Sequence, residues 1–408
     1  MFHLIAAAAF LTQAAPPSPV IQIDLAGVPK EGPRPALELV LPNGQKVANP
    51  DPATYVANLP GKYRLSGVAF RQPGKIVDTI MEAAPVERTV KAGEKVTLRL
   101  SYAARPTSGM LWIATARIDP DADDFSKGQL RAISEAKLAA GGFTNGDKII
   151  TTGPRLLGGA VDAQGNYYFG DGWNTNALMR LSPSGQGTPS KVTGTIPNGF
   201  CLDPDGVTVW QVDGRTLVRY NLKDGSLKAK IEVTEDEEEG LGTGMLFLPG
   251  GDLLLYRRQL LAVIPAAKLK TSGKLTRADA TALTKFDSGA LWQAAIDKNG
   301  GFWVADENNM VIHVPADAIR KGGTVNAREY PTPEGVVALA IDNEGGVWAM
   351  QKLYGEVYYL APGASAFEKK GVFGKGQDEF TRLVFHPAPE WSPLSQLPGM
   401  PKRLTPAQ

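Results

Sequence analysis

The sequence predicts an all-β protein: a six-bladed β-propeller closed by its C-terminal strand and preceded by a small β-sandwich. Three observations carry that expectation. Between residues 20 and 102, short segments alternate apolar and polar residues between Gly, Pro and Asn turns, the mark of half-buried strands. From residue 110 onward a unit of about 45 residues recurs, which is the spacing of propeller blades. Glycine and proline number 45 and 31 among 408 residues, above average usage, so turns are frequent.

Composition removes several function classes. Lys plus Arg total 43 and Asp plus Glu 42, so there is no basic surplus for nucleic acid. Hydrophobic residues make up 43%, enough for a substantial core and too many for a disordered chain. The single cysteine, Cys201, excludes an intramolecular disulfide and a cysteine-based metal cluster. Only His3, His313 and His386 are present, which leaves little for histidine catalysis or zinc.

Residues 1–15 are expected to be an export signal. Leu4–Leu11 is a short apolar run followed by small residues through Ala15, too short to span a bilayer but suited to a signal h-region. The stretch before it lacks Lys or Arg. Residues 16–19, Pro16-Pro17-Ser18-Pro19, form a linker. A secreted or periplasmic location is therefore expected, with no transmembrane segment.

Residues 20–105 form the expected sandwich. Val20–Leu25, Ala36–Leu41, Val86–Val90 and Val96–Tyr102 alternate, as half-buried antiparallel strands do. Leu59-Pro-Gly-Lys-Tyr63 is a turn feeding a strand. That turn and Val90-Lys-Ala-Gly-Glu-Lys-Val-Thr-Leu98 resemble prealbumin-like or carboxypeptidase-regulatory-like modules of exported proteins. No catalytic constellation is visible here.

Residues 106–388 form the expected propeller. Each unit reads as a strand, an Asp-x-x-Gly turn and a strand bearing an aromatic. The Asp slot falls at Asp162, Asp203, Leu248, Asp297, Asp342 and a degenerate His386, spaced 41, 45, 49, 45 and 44 residues apart. The outer half recurs as Leu130–Leu138, Leu261–Leu269 and Val311–Ile319, a strand running into a short helical turn. Met110–Ala114 has the look of a second strand with no inner strand before it. The missing inner strand appears as Thr381–His386, so the two termini close the first blade and remove an open edge. The tail, 389–408, is expected to be irregular.

Two segments, Pro197–Gly206 and Gly335–Trp348, resemble the NHL, SMP-30/gluconolactonase and streptogramin-lyase group of propellers. The resemblance covers roughly residues 110–388 and implies the blade, not the activity, because one fold hosts many functions. It also implies a place to look for a metal, since SMP-30-like lactonases hold a divalent cation at the starts of inner strands. Asn198 resembles that family's asparagine ligand. Leu157, Thr243, Trp292, Val337 and Thr381 occupy the equivalent positions of other units, and none is a carboxylate. The lyase's catalytic histidine has no counterpart, because His313 falls in a third strand and His386 at the opposite mouth.

One channel mouth is expected where second strands end. That places Asp171, Asp213, Arg257, Asp306, Gln351 and Thr115 there, with neighbours Trp173, Asn174, Asn176, Arg258, Glu307, Asn308, Asn309 and Tyr354. A mixture of charges suits a small polar ligand. Asp and Asn also favour turns, so a purely structural role stands beside the ligand reading. Asp119, Asp121 and Asp123 have the alternate carboxylates of a calcium loop, without its glycine and closing glutamate. Calcium is therefore a candidate, and no cofactor is certain. Glu235–Glu239 reads as a solvated acidic loop. The leading expectation is an exported, monomeric, non-enzymatic protein that binds a small polar ligand or another exported protein. The competing class is a metal-dependent lactonase or streptogramin-lyase-like enzyme.

Overall fold

The computed structural model describes residues 17–51, 55–56, 59–117, 128–144, 148–153, 156–171, 177–182, 188–194, 199–213, 215–233, 244–333, 335–373 and 379–404. The chain divides into two compact units. One comprises Met1–Phe70, Met81–Ala104 and Lys402–Gln408; the other comprises Arg71–Ile80 and Arg105–Pro401.

In the first unit, Leu37–Val40 lies between Lys46–Ala48 and Gly61–Gly67, and Val86–Val90 pairs on the far side of Gly61–Gly67. A second sheet joins Tyr55–Val56, Val20–Ala26 and Lys95–Ser101. The apolar members of both sheets, among them Ile21, Leu39, Leu65, Leu98 and Leu100, share one core. One pairing departs from expectation. Val20–Ala26 runs parallel to Lys95–Ser101, from Val20 opposite Lys95 to Ala26 opposite Ser101. Alternation reports which face of a strand is buried; it carries no information about the direction of the neighbour. The tail also differs from the irregular stretch expected. It holds a 3-10 turn at Pro393–Gln396 and a short strand at Lys402–Arg403, and Leu404 packs on the core of the first unit.

Six of the four- and five-stranded sheets lie wholly within the second unit. Their first, inner strands are Glu379–His386, Leu157–Val161, Gly199–Leu202, Gly244–Phe247, Leu291–Ile296 and Val336–Ile341. Each inner strand lies beside the next, and Val336–Ile341 returns to Glu379–His386, so the inner strands form a ring. The unit is a β-propeller. The sheet that holds both chain ends is completed by pairing Met110–Arg117 with Glu379–His386, Met110 standing opposite His386.

The second strand of each sheet explains why the ring closes. Tyr167–Asp171, Phe302–Asp306 and Val347–Gln351 are buried at every position. Alternate side chains serve opposite neighbours. Phe302 and Val304 pack toward the preceding sheet, while Trp303 and Ala305 pack toward the following one. Val347 and Ala349 face one way, Trp348 and Met350 the other. Six such cores, one between each pair of neighbouring sheets, complete the circle.

The Asp-x-x-Gly turn supplies the local reason for each inner hairpin. The turn glycines Gly165, Gly206, Gly251, Gly300 and Gly345 all have φ between 71° and 93°, a region costly for residues with a Cβ. The aspartate then caps the turn and holds the aromatic ahead of it. Asp342 Oδ1 accepts from Glu344 N at 3.0 Å and Gly346 N at 2.7 Å, and its Oδ2 accepts from Trp348 Nε1 at 3.0 Å. Asp297 does the same for Trp303 Nε1 at 3.0 Å, Asp203 for Trp210 Nε1 at 2.8 Å, and Asp162 for the Tyr168 hydroxyl at 3.0 Å. His313 stacks on Trp303 with centroids 4.1 Å apart and stands 3.4 Å from Asp297. Where Leu248 replaces the aspartate, Asp252 caps Ala266 N instead at 2.9 Å. The outer helical turns appear at Glu135–Ala140, Ala266–Leu269 and Ala316–Lys321, each burying one apolar residue, Leu138, Leu269 and Ile319.

Segment 71–80 belongs to the propeller unit because of a buried polar knot. Arg71 Nε meets Asp78 Oδ2 at 2.9 Å with both side chains buried. Asp78 Oδ1 also accepts from Asn343 Nδ2 at 2.8 Å and Gly74 N at 3.2 Å, and Arg71 donates to Ala388 O at 2.7 Å. A buried charge pair is tolerated only when its remaining valences are met in this way.

Two outcomes are expected. Asp342→Ala strands two backbone N–H groups and an indole N–H in a buried site, and should lower stability by about 2–4 kcal/mol in urea unfolding. His386 is buried, lies 5.0 Å from the Trp112 ring, and has no hydrogen-bond partner at either ring nitrogen among the described residues. Burial, then the charges of Arg105 and Arg71, push its pKa down to about 3 from 6.5. The folded state thus refuses a proton that the unfolded chain accepts. Its contribution is intact above pH 6.5 and is lost as pH falls from there toward 3. His386→Phe should spare the protein on the order of 4 kcal/mol of that loss, read as the difference between the two stability–pH curves.

Candidate functional site

One end of the ring gathers the starts of the inner strands and the ends of the second strands. Leu291 opens its inner strand opposite Asp306, and Val336 opens its own opposite Gln351. Asp171, Asp213, Arg257, Asp306 and Gln351 are all the last residues of second strands. Thr115 sits inside a longer strand, Met110–Arg117, and exchanges hydrogen bonds with the Gln129 backbone.

These side chains do not all face outward. Asp171, Asp306 and Gln351 are buried. The Asp306 carboxylate is consumed by its own turn and a neighbouring one. Its Oδ1 accepts from Asn308 N at 3.0 Å and Met310 N at 3.1 Å, and its Oδ2 accepts from Gly289 N and Asn308 Nδ2, each at 3.2 Å. Asn309 is likewise committed: at φ 60° its Oδ1 accepts from Gly335 N.

Glu307 is exposed but bridges two sheets. Its Oε1 accepts from Ala290 N at 2.8 Å and from Arg258 at 2.7 Å. The Ala290 N–H, then Arg258, hold this carboxyl below its usual range. A solvated ion pair of this kind contributes little to stability. Asp213, Arg258, Asn308 and Tyr354 are exposed and Arg257 is half-buried. Trp173, Asn174, Asn176, Asn198, Asp119, Asp121 and Asp123 lie outside the described residues. No group of three or more metal-ligating side chains occurs among the described residues.

The same end carries an apolar surface, of which the sequence reading named Tyr354 as a ligand candidate but not Trp292 or Leu353. Trp292, Leu353 and Tyr354 are 44%, 44% and 59% exposed, large values for such side chains. Lys352 Nζ stands 5.9 Å from the centre of the Trp292 ring, within reach of a cation–π contact. Trp292 is the second residue of its inner strand, Leu291–Ile296.

No protein-family model matches the chain, and no curated protein does. Solved structures to which it is similar include a catalytically inactive virginiamycin B lyase from Staphylococcus aureus with quinupristin. That likeness has 12% identity and a TM-score of 0.40, covering 66% of this chain and 86% of the lyase. A protein of unknown function from Bacteroides caccae has 13% identity and a TM-score of 0.44, with 68% and 98% covered. The C-terminal WD40 domain of Sif2 has 12% identity and a TM-score of 0.38, with 64% and 69% covered.

Cys201 lies in an inner strand and is buried. Burial, then the charge of Asp203, push its thiol well above the ordinary range, against a smaller opposing effect of Arg382. A thiol attacks only as thiolate. Native protein at pH 8 should therefore react with Ellman's reagent far more slowly than the same protein in guanidinium, and one thiol should appear on unfolding.

Proposed function

We propose that this protein is an exported, non-enzymatic binding protein whose ligand docks on the mouth where the inner strands begin. In this reading the six sheets are the blades of one closed propeller, and the first unit is a small β-sandwich acting as a spacer or adhesion module. The apolar leader and the Pro-rich stretch after it support export to the periplasm or the exterior. The observation that carries the binding role is the contrast at the mouth. Asp306 and Glu307 are tied to backbone N–H groups, while Trp292 and Tyr354 are left open to solvent beside Lys352. Carboxylates committed to turns are poorly placed for proton transfer, which needs a group free to reach the substrate. An exposed aromatic with a cation beside it suits a small polar ligand carrying a flat apolar face, such as a sugar ring or a peptide aromatic. Asp213, Arg258, Asn308 and Arg257 would supply its polar contacts.

The test has two arms. Panels of soluble oligosaccharides and tripeptides are screened by tryptophan fluorescence, and Trp292→Ala should weaken any binding roughly tenfold, the scale of one aromatic contact. Binding untouched by that change overturns the site. Metal content and turnover of a lactone panel are measured on the same preparation. Stoichiometric Ca²⁺, Mg²⁺ or Zn²⁺ that is lost in Asn198→Ala, or hydrolysis of a lactone, overturns the non-enzymatic reading.

A further inference from the structure

The opposite end of the channel is roofed by the C-terminal tail. Trp391 packs with the core between the fifth and sixth sheets, those whose inner strands are Leu291–Ile296 and Val336–Ile341. Leu394 packs with the core between the sheets of Leu157–Val161 and Gly199–Leu202. Residues 388–394 therefore cross the channel as a strap. Beneath it lies a cavity of ≈ 150 Å³ walled by all six inner strands. Its lining is apolar, with Phe200, Leu246, Ala294, Leu339 and Trp391 among its walls.

Among the described lining residues, Arg382 is the one that is charged. The residue is half-buried and forms no ion pair among the described residues, and its Nε is buried with no hydrogen-bond partner among them. Its charge is felt by Tyr167, Cys201 and Tyr256, which come from three different sheets, so it acts across the channel. Gln293 spends both ends of its amide on Leu383, donating to O at 2.9 Å and accepting from N at 3.0 Å. The lining residue Trp391 has a buried indole N–H that also lacks an acceptor. Among the described lining residues there is thus one positive charge and no carboxylate.

An unpaired charge in an apolar site is costly, and an anionic partner removes much of that cost. A guanidinium matches a carboxylate bidentately. One guanidinium balances a monoanion and leaves a dianion under-compensated. An apolar cavity of about 150 Å³ accepts a benzene-sized body. We propose that this cavity binds a small apolar monocarboxylate, anchored by Arg382. The site lies at the far end of the channel from the mouth assigned above and does not depend on it.

Isothermal titration of the full chain tests this with benzoate and butyrate as probes, and with benzamide and inorganic phosphate as controls. At least one of the two carboxylates should bind one-to-one, with benzoate roughly tenfold or more tighter than benzamide if benzoate is the one bound, and Arg382→Met should cost a similar factor. Trp292→Ala should leave carboxylate binding unchanged. The proposal is overturned if neither carboxylate binds, if benzamide or phosphate binds as well as the carboxylate, or if Arg382→Met retains full affinity. It is also overturned if Trp292→Ala abolishes the binding, which would place the carboxylate at the mouth. Should Arg382→Met fail to fold, the comparison of benzoate with benzamide on the unaltered protein still decides the matter.

Discussion

Every second strand in the propeller unit is buried on both faces, and the rest of the unit follows from that. A strand such as Val347–Gln351 has no solvent side to give away. Trp348 and Met350 need one neighbouring sheet, and Val347 and Ala349 need another. A row of such sheets would leave an apolar face bare at each end. Only a ring gives every sheet two partners, and the pairing of Met110–Arg117 with Glu379–His386 makes the ring continuous in chain terms. Burial is worth about 25 cal/mol per Å² of apolar surface, so a break in the circle would expose two sheet faces at once.

Within that ring the aspartate turns do two jobs with one side chain. They cap a tight turn, and they give the buried indole of Trp210, Trp303 or Trp348 its acceptor. A buried tryptophan is less costly when its N–H has an acceptor. The environments of these carboxyls nonetheless differ. At Asp342 burial dominates and raises the pKa. At Asp297 burial acts in the same sense, but donors from His313, Trp303, Gly301 and Asn299 outweigh it and lower the pKa. The stacked histidine is the added element, so a residue with the look of a catalytic group serves as a support for Trp303.

Polar groups that have been absorbed by structure sharpen the meaning of those that have not. Asp306, Asn309, Gln293 and the Arg71–Asp78 pair all have their valences met by backbone or by one another. Against that background Arg382 in the channel and Trp292 at the mouth are exceptions. Both are placed where a closed core would not put them, one a charge within apolar walls and the other an indole in water.

The sequence by itself determined the repeat, its turn chemistry and the need for a strand from the far end of the chain, because these depend on neighbours a few residues apart. Asp-x-x-Gly followed by an aromatic is legible as a hairpin wherever it occurs, and Thr381–His386 stood out as an inner strand lacking its own second strand. Tertiary structure decided the rest. Whether Asp306 faces solvent or its own turn depends on the Gly289 N–H, 17 residues away. The parallel partnering of Val20–Ala26 and the attachment of 71–80 through Asn343 depend on groups still more remote. The cavity under the tail is built from six strands and a strap, and no local window contains it. Arg382 could be read as one cation in an apolar strand, but its isolation is a property of the assembled channel.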